Sequence, residues 1–236
     1  MDFEWSAVWE AMPVLWQGTQ MTIKITLFGL VGGMALGVLL GVIRAYVPAW
    51  PRREALRHRP VSGLLLPVLS WLAQGFILLI RGTPMVVQVM FIYFALPLLA
   101  NLKIEGEIAA TATLIINSGA YIAEIVRSAL QSVPKGLYEA GLAMGLPFHK
   151  ILSRIIAPVA FRRMIPPLGN QCIISLKDSS LFIVIGVAEL TRQGQEIMAA
   201  NFRAVETWGA VAIIYLILTG CIALALKTME HRMRIA

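Results

Sequence analysis

Charge is what this sequence most lacks. Only 14% of its 236 residues are Asp, Glu, Lys or Arg, 58% are hydrophobic, and the mean hydropathy is +0.76. Soluble domains carry about 25% charged residues. The deficit, with repeated long apolar runs, excludes an ordinary soluble globule and places the chain in a bilayer. Cysteine is nearly absent: Cys172 and Cys221 both fall in apolar segments, at a spacing that fits no metal site, and read as small buried residues. No GxxxxGK[ST] phosphate loop occurs, so the chain does not cradle ATP in the usual way. The start, Met1-Asp2-Phe3-Glu4, lacks the basic region of a cleaved signal peptide, and the first span itself is expected to direct insertion. The formal charge of +7 does not point to nucleic acid, because the bases are spread through loops; in a membrane protein such an excess reports orientation.

Long apolar stretches run over about 19–43, 61–80, 84–100, 108–130, 165–190 and 208–227, and about 20 residues are needed to cross. Asp2, Glu4 and Glu10 precede the first without a base, whereas Arg44, Arg52, Arg53, Arg57 and Arg59 follow it against one acid, Glu54. This places the N-terminus outside and loop 44–60 in the cytoplasm. Loop 131–163 and the tail, with Lys227, Arg232 and Arg234, are basic too and should share that side. An even number of crossings must then separate the two basic loops. The stretch 61–80 runs at once into Arg81-Gly82-Thr83-Pro84, a charged break unsuited to a lipid-facing turn, and is expected to lie along the cytoplasmic interface. Five spans result, N-out and C-in: a periplasmic stretch 1–18, a transmembrane domain 19–227 and a cytoplasmic tail 228–236. Trp5, Trp9 and Trp16 suit the outer interface, and Lys24 is expected to reach the headgroups. Gly29, Gly33, Gly37 and Gly41 clear one face of the first span for a close neighbour, either within the chain or in a second subunit.

Polar residues inside spans mark candidate sites. Lys177-Asp178-Ser179-Ser180 falls at the centre of 165–190. A charge there costs about 2.5–3.5 kcal/mol on insertion scales, so such residues should face protein or water and by default mark a substrate path. Mutual neutralisation as structural glue is the competing explanation. Asn117, Tyr121 and Glu124 form a second polar stripe at helical spacing, with Arg127 one turn beyond Glu124 as a possible surface partner. A zwitterionic amino acid needs an acceptor for its ammonium, which Glu124 or Asp178 offers, and donors for its carboxylate, which Lys177, Ser179 and Ser180 offer. Gln88 is a weaker candidate, suited equally to a helix–helix hydrogen bond. An intramembrane hydrolase built on Asn117-Ser118-Gly119 is disfavoured, because His58, His149 and His231 all fall in expected cytoplasmic segments.

Between the basic clusters lies Lys135-Gly136-Leu137-Tyr138-Glu139-Ala140-Gly141-Leu142-Ala143-Met144-Gly145, too apolar for a linker and too short to span. Its small residues suit an interfacial helix or one that docks into another protein. From Glu139 to Pro158 it resembles the EAA loop of ABC importer permeases, with Glu139, Ala140, Gly145, Ile155 and Pro158 in register; Gly141 and Ala157 depart from the pattern. Arg81-Gly82-Thr83-Pro84, Asn117 to Glu124, Leu168-Gly169-Asn170-Gln171 and Lys177 to Leu181 resemble the polar amino acid permeases of the histidine/glutamine type, and Phe182 to Gln195 resembles their glutamine branch.

That resemblance, covering the chain from about residue 13 onward, implies an all-α, five-span, type I importer permease (MetI-like) of the bacterial inner membrane. It implies a pathway shared with a second permease, identical or sister, and lined near Lys177 to Ser180. An ATPase dimer would carry ATP and Mg and dock on Glu139, Ala140, Gly141 and Gly145, and a periplasmic amino-acid-binding protein would deliver the substrate, glutamine. A stand-alone secondary transporter is the alternative; inverted-repeat halves would be its mark, and five spans do not divide that way.

Overall fold

The computed structural model describes residues 5–46 and 60–233. Most of the arginine-rich loop 44–60, with both chain ends, lies outside the described residues. Eight helical elements follow in order: α1 (Ser6–Tyr46), α2 (Pro60–Gly82), α3 (Met85–Ala100), α4 (Gly106–Ser132), α5 (Lys135–Ala143), α6 (Phe148–Ile185), α7 (Leu190–Asn201) and α8 (Ala204–Met233). No strand occurs among the described residues. This is how backbone must behave in hydrocarbon, where helices satisfy their own N–H and C=O groups.

The centre of the fold is the pair α1 and α4. Their contact is made by glycine: a Cβ on Gly29 would stand 2.5 Å from Leu114 Cδ2, one on Gly37 2.6 Å from Ile122 Cβ, and one on Gly41 2.6 Å from the Ala123 carbonyl oxygen. Gly33 abuts Ser118 in the same way, and on the other helix Gly119 receives Leu36. The paired numbers rise together, so α1 and α4 run parallel. Backbone-to-side-chain approach of this closeness replaces the hydrophobic drive that lipid removes. The glycine stripe is therefore occupied within the chain. Lys24, near the middle of α1, makes an ion pair with Glu107 in the first turn of α4.

Because α1 and α4 are parallel, the chain between them must return across. The chain between them forms α2 and α3, bent by 108° at Thr83–Pro84, the geometry of a broken span or a re-entrant pair. The sequence alone placed 61–80 along the interface. In the structure Ala73, Ile77 and Ile80 are buried, and Arg44 Nη1 donates to Gln74 Oε1 at 2.7 Å, so the later turns of α2 pack on the bundle. Beyond the bend, Met85 and Val89 join a core with Ile25, Ala109, Ala110, Leu114 and Phe182. Among the described residues four other helices are each long and apolar enough to cross, over Val8–Ala45, Gly106–Ser132, Phe148–Ile185 and Ala204–His231, and counting the bent pair as one span gives 5. The first helix begins at Ser6, well before the expected boundary at 19, and α8 continues to Met233 through the expected tail.

Pro97 and Pro158 shape their helices without ending them. Wide π-turns occupy Phe91–Ala95 and Leu152–Ile156, each immediately preceding the turn that carries Pro97 or Pro158. A proline cannot donate to the carbonyl four residues back, and widening the preceding turn relieves the clash.

Candidate functional site: a polar route and a docking hairpin

The polar residues singled out in the sequence separate into three groups along the bundle. Lys177 and Asp178 end the α-helical part of α6, where it tightens into a 3-10 stretch, Ser179–Ile185, closed by Gly186 at φ 75°. Phe182, one turn on, packs on Ala109 and Ala110 near the Gly106 end of α4. Lys177 is exposed and Asp178 half-buried, and among the described residues the two form no ion pair. Ser179 is fully buried, its hydroxyl donating to the Leu176 carbonyl at 2.7 Å, and Ser180 donates to the Lys177 carbonyl at 2.7 Å. Both hydroxyls are spent on their own helix, which leaves Lys177 as the freer donor of this group.

The second group is Gln88 with Asn117. Pro84 has no N–H for the Ile80 carbonyl, and Gln88 supplies the missing donor: its Nε2 reaches Ile80 O at 2.7 Å and Thr83 O at 3.0 Å. Asn117 Nδ2 then donates to Gln88 Oε1 at 3.1 Å. This pair fixes the bend between α2 and α3 to the middle of α4.

The third group lines a pocket of about 370 Å³ between α2, α4 and α6, walled by Arg81, Tyr121, Glu124, Ser128, Arg163 and Pro167 among others. Arg127 Nε donates to Glu124 Oε2 at 3.0 Å, and a second guanidinium nitrogen meets Glu124 Oε1, making a two-point pair. The Arg81 guanidinium lies over the Tyr121 ring, 5.3 Å from its centroid. Arg163 donates to the Ser132 carbonyl and, at 3.0 Å, to its hydroxyl. In the sequence Arg81 stood as part of a break and of a motif, and its place beside Tyr121 was signalled only by a charge between two apolar runs.

The sequence also hides Glu189, which is fully buried before α7. Its carboxylate caps α7, accepting from the amides of Thr191 (2.9 Å) and Arg192 (2.7 Å), and the Tyr215 hydroxyl donates to it at 3.1 Å. Thr22 of α1 accepts from the Leu190 amide at 3.1 Å. One carboxylate and one hydroxyl thus join α1, α7 and α8.

At the other end, α5 and the start of α6 form a hairpin. The Leu146 amide donates to Gly141 O and the Gly145 amide to Leu142 O, with Gly145 at φ 71°, which is the Schellman closure. Gly141 is buried, and a Cβ there would stand 2.9 Å from Ile151 Cγ1; the second alanine of the EAA pattern has no room in this chain. Tyr138 packs edge-on against Phe148, 6.4 Å between centroids. Glu139 and Ala140 remain exposed on the outer face of this braced hairpin.

A bundle of long apolar helices with charged and amide side chains among them, and a short hairpin at one end, is the architecture of a polytopic membrane protein. The chain belongs to the family described as binding-protein-dependent transport system inner membrane component, which matches residues 61–235. It is 52% identical over 236 residues to the glutamine transport system permease protein GlnP of Escherichia coli (strain K12), covering 100% of both chains. It is 35% identical over 231 residues to the L-cystine transport system permease protein TcyB of Bacillus subtilis, covering 97% of this chain and 91% of that one. A crystal structure of an amino acid ABC transporter with histidines superposes with a TM-score of 0.85 at 29% identity, over 99% of this chain and 100% of that one. The MetNI methionine ABC transporter in an inward facing conformation shares the fold, with a TM-score of 0.75 at 20% identity over 95% and 98%. The chain is accordingly a multi-pass permease subunit of the inner membrane, a transport component rather than an enzyme.

Proposed function

We propose that this chain forms the membrane channel half of an ATP-driven importer whose substrate is glutamine. The full-length identity to the glutamine permease carries the reading. The exposed Glu139 face of the hairpin suits docking of a separate ATPase dimer, and a periplasmic binding protein would deliver the amino acid. A second permease, identical or sister, would close the open side of the polar route, since charged groups at membrane depth are costly against lipid. Substrate would pass Lys177 and Asp178 first, then the Gln88–Asn117 level, then Tyr121 and Glu124. ATP-driven closure of the ATPases moves the hairpin as a rigid element and rocks the helices, so that the route opens to one side at a time. Coupling requires that bound substrate favour one of the two states.

The test is uptake of labelled glutamine into proteoliposomes holding the permease, its ATPase and binding protein, with glutamate, histidine and arginine as competitors. Uptake should need ATP and yield most to unlabelled glutamine. Uptake that persists without the ATPase would instead identify a secondary transporter.

A further inference from the structure

An apolar groove of about 540 Å³ runs between α1, α4 and the first half of α6, lined from the stretches 34–42, 126–130 and 152–168. It faces away from the polar route. On α4, Val126 and Leu130 of the groove lie across the helix from Tyr121 and Ser128, and on α6 Phe161 lies across from Arg163. A second permease that closes the route therefore leaves this face to the bilayer. The groove also has the length of one leaflet: from Leu152 to Leu168 α6 rises about 24 Å, against about 20–22 Å for half a bilayer with its headgroups.

The two ends of the groove differ in chemistry. None of the three lining stretches contains an acid. At the hairpin end the π-turn Leu152–Ile156 carries Ser153, which lines the groove, and Arg154 beside it. Arg162 follows Phe161, and side chains on a helix lean toward its N-terminus, so Arg162 reaches back toward the hairpin end. Ser153, Arg154 and Arg162 are exposed, and none of them has a hydrogen bond or ion pair among the described residues. Basic side chains at headgroup depth attract anionic lipid even when hydrated, and a phosphate accepts from guanidinium and hydroxyl donors alike.

We propose that this groove binds one anionic phospholipid from the leaflet on the hairpin side. An acyl chain lies along Phe161 and Leu168, the headgroup phosphate accepts from Arg154 and the Ser153 hydroxyl, and Arg162 adds a second positive charge. The site is separate from the substrate route and does not depend on which amino acid is carried. Its occupant ties α1 to the stem of the hairpin, because Ile151, next to Leu152, packs on Gly141.

Native mass spectrometry of the purified permease–ATPase complex tests it, after delipidation in detergent and titration with dioleoylphosphatidylglycerol or dioleoylphosphatidylcholine. Wild type should bind phosphatidylglycerol at least about fivefold more tightly than the zwitterionic lipid, the scale of one basic residue at a headgroup. Arg154→Gln should narrow that preference by about fivefold, and Arg154→Gln with Arg162→Gln should narrow it further. Arg154→Lys, which keeps the charge, should retain most of it. Ser153→Trp, at an exposed position on the groove wall, should abolish the tight binding event for both lipids while the complex still elutes intact from gel filtration. A wild type without preference, a double variant with the wild-type preference, or a Ser153→Trp complex that binds lipid as before overturns the site. So does a disulfide joining two permease copies through Phe161→Cys, in a Cys172→Ala, Cys221→Ala background, because a second permease would then occupy the groove.

Discussion

Replacing Gly37 by alanine adds one methyl group where α1 meets α4, and the geometry sets its cost. The new Cβ would lie 2.6 Å from Ile122 Cβ and Cγ2 and 2.9 Å from the Gly119 carbonyl oxygen. Carbon atoms rest about 3.5–4.0 Å apart, so the helices must separate by about 1 Å. Neither neighbour can swing aside: Ile122 Cβ is the root of a buried branched side chain, and the other atom is backbone. Overpacking of this kind costs about 1–3 kcal/mol. Separation would also stretch the contact from Ser118 Oγ to Gly29 O, already 3.3 Å. The control is Gly220→Ala on α8, where nothing lies within 4 Å. There the same change relieves glycine's helix penalty, about 0.5–1 kcal/mol. Thermal unfolding of the purified complex should show opposite signs, with Tm moving about 2–4 °C per kcal/mol for a chain of this size. An unchanged Tm for Gly37→Ala beside a raised one for Gly220→Ala would refute the reasoning.

Reversing the exposed charge on the hairpin, Glu139→Lys, should abolish ATP-coupled uptake with membrane insertion intact; normal uptake would end the docking role. Lys177→Ala and Asp178→Ala should each reduce uptake or substrate-stimulated ATPase activity in complexes that assemble fully, measured after gel filtration. Two normal variants would make this pair structural. Glu189→Ala should lower stability by about 1–3 kcal/mol, because two amides and the Tyr215 hydroxyl lose a buried acceptor. Chemical denaturation of the purified complex would measure it, and a wild-type midpoint would contradict the cap.

Local features were readable because their partners are close in sequence. The pairing of Glu124 with Arg127 needs only helical spacing and appears in the structure as one of the two alternatives weighed for Glu124. The small residues from Ala140 to Gly145 pointed to a short helix outside the spans, and α5 occupies that stretch, closed by the Schellman bonds. Gln88 was harder: its value lies in the carbonyl that Pro84 cannot serve, a vacancy visible only once the bend exists. Arg81 and Tyr121 are far apart in the chain, and nothing in either stretch announces the other. Glu189 reads as an acid beside a turn, since its burial depends on α1 and α8 closing over it.

Composition and periodicity by themselves determined a helical membrane protein, a glycine-cleared face on its first span and the residue types of a polar route. Those properties follow from the solvent: lipid permits only satisfied backbone and penalises every stray charge. Tertiary structure alone decided that the glycine face receives α4, that α2 and α3 bend at Pro84 around Gln88, and which polar groups meet. Lys177 and Asp178 stand where the α-helical part of α6 ends, apart from the pocket that holds Tyr121 and Glu124, although these four were candidates for one site. Such meetings depend on how helices cross, and close packing between distant segments is written in no single segment.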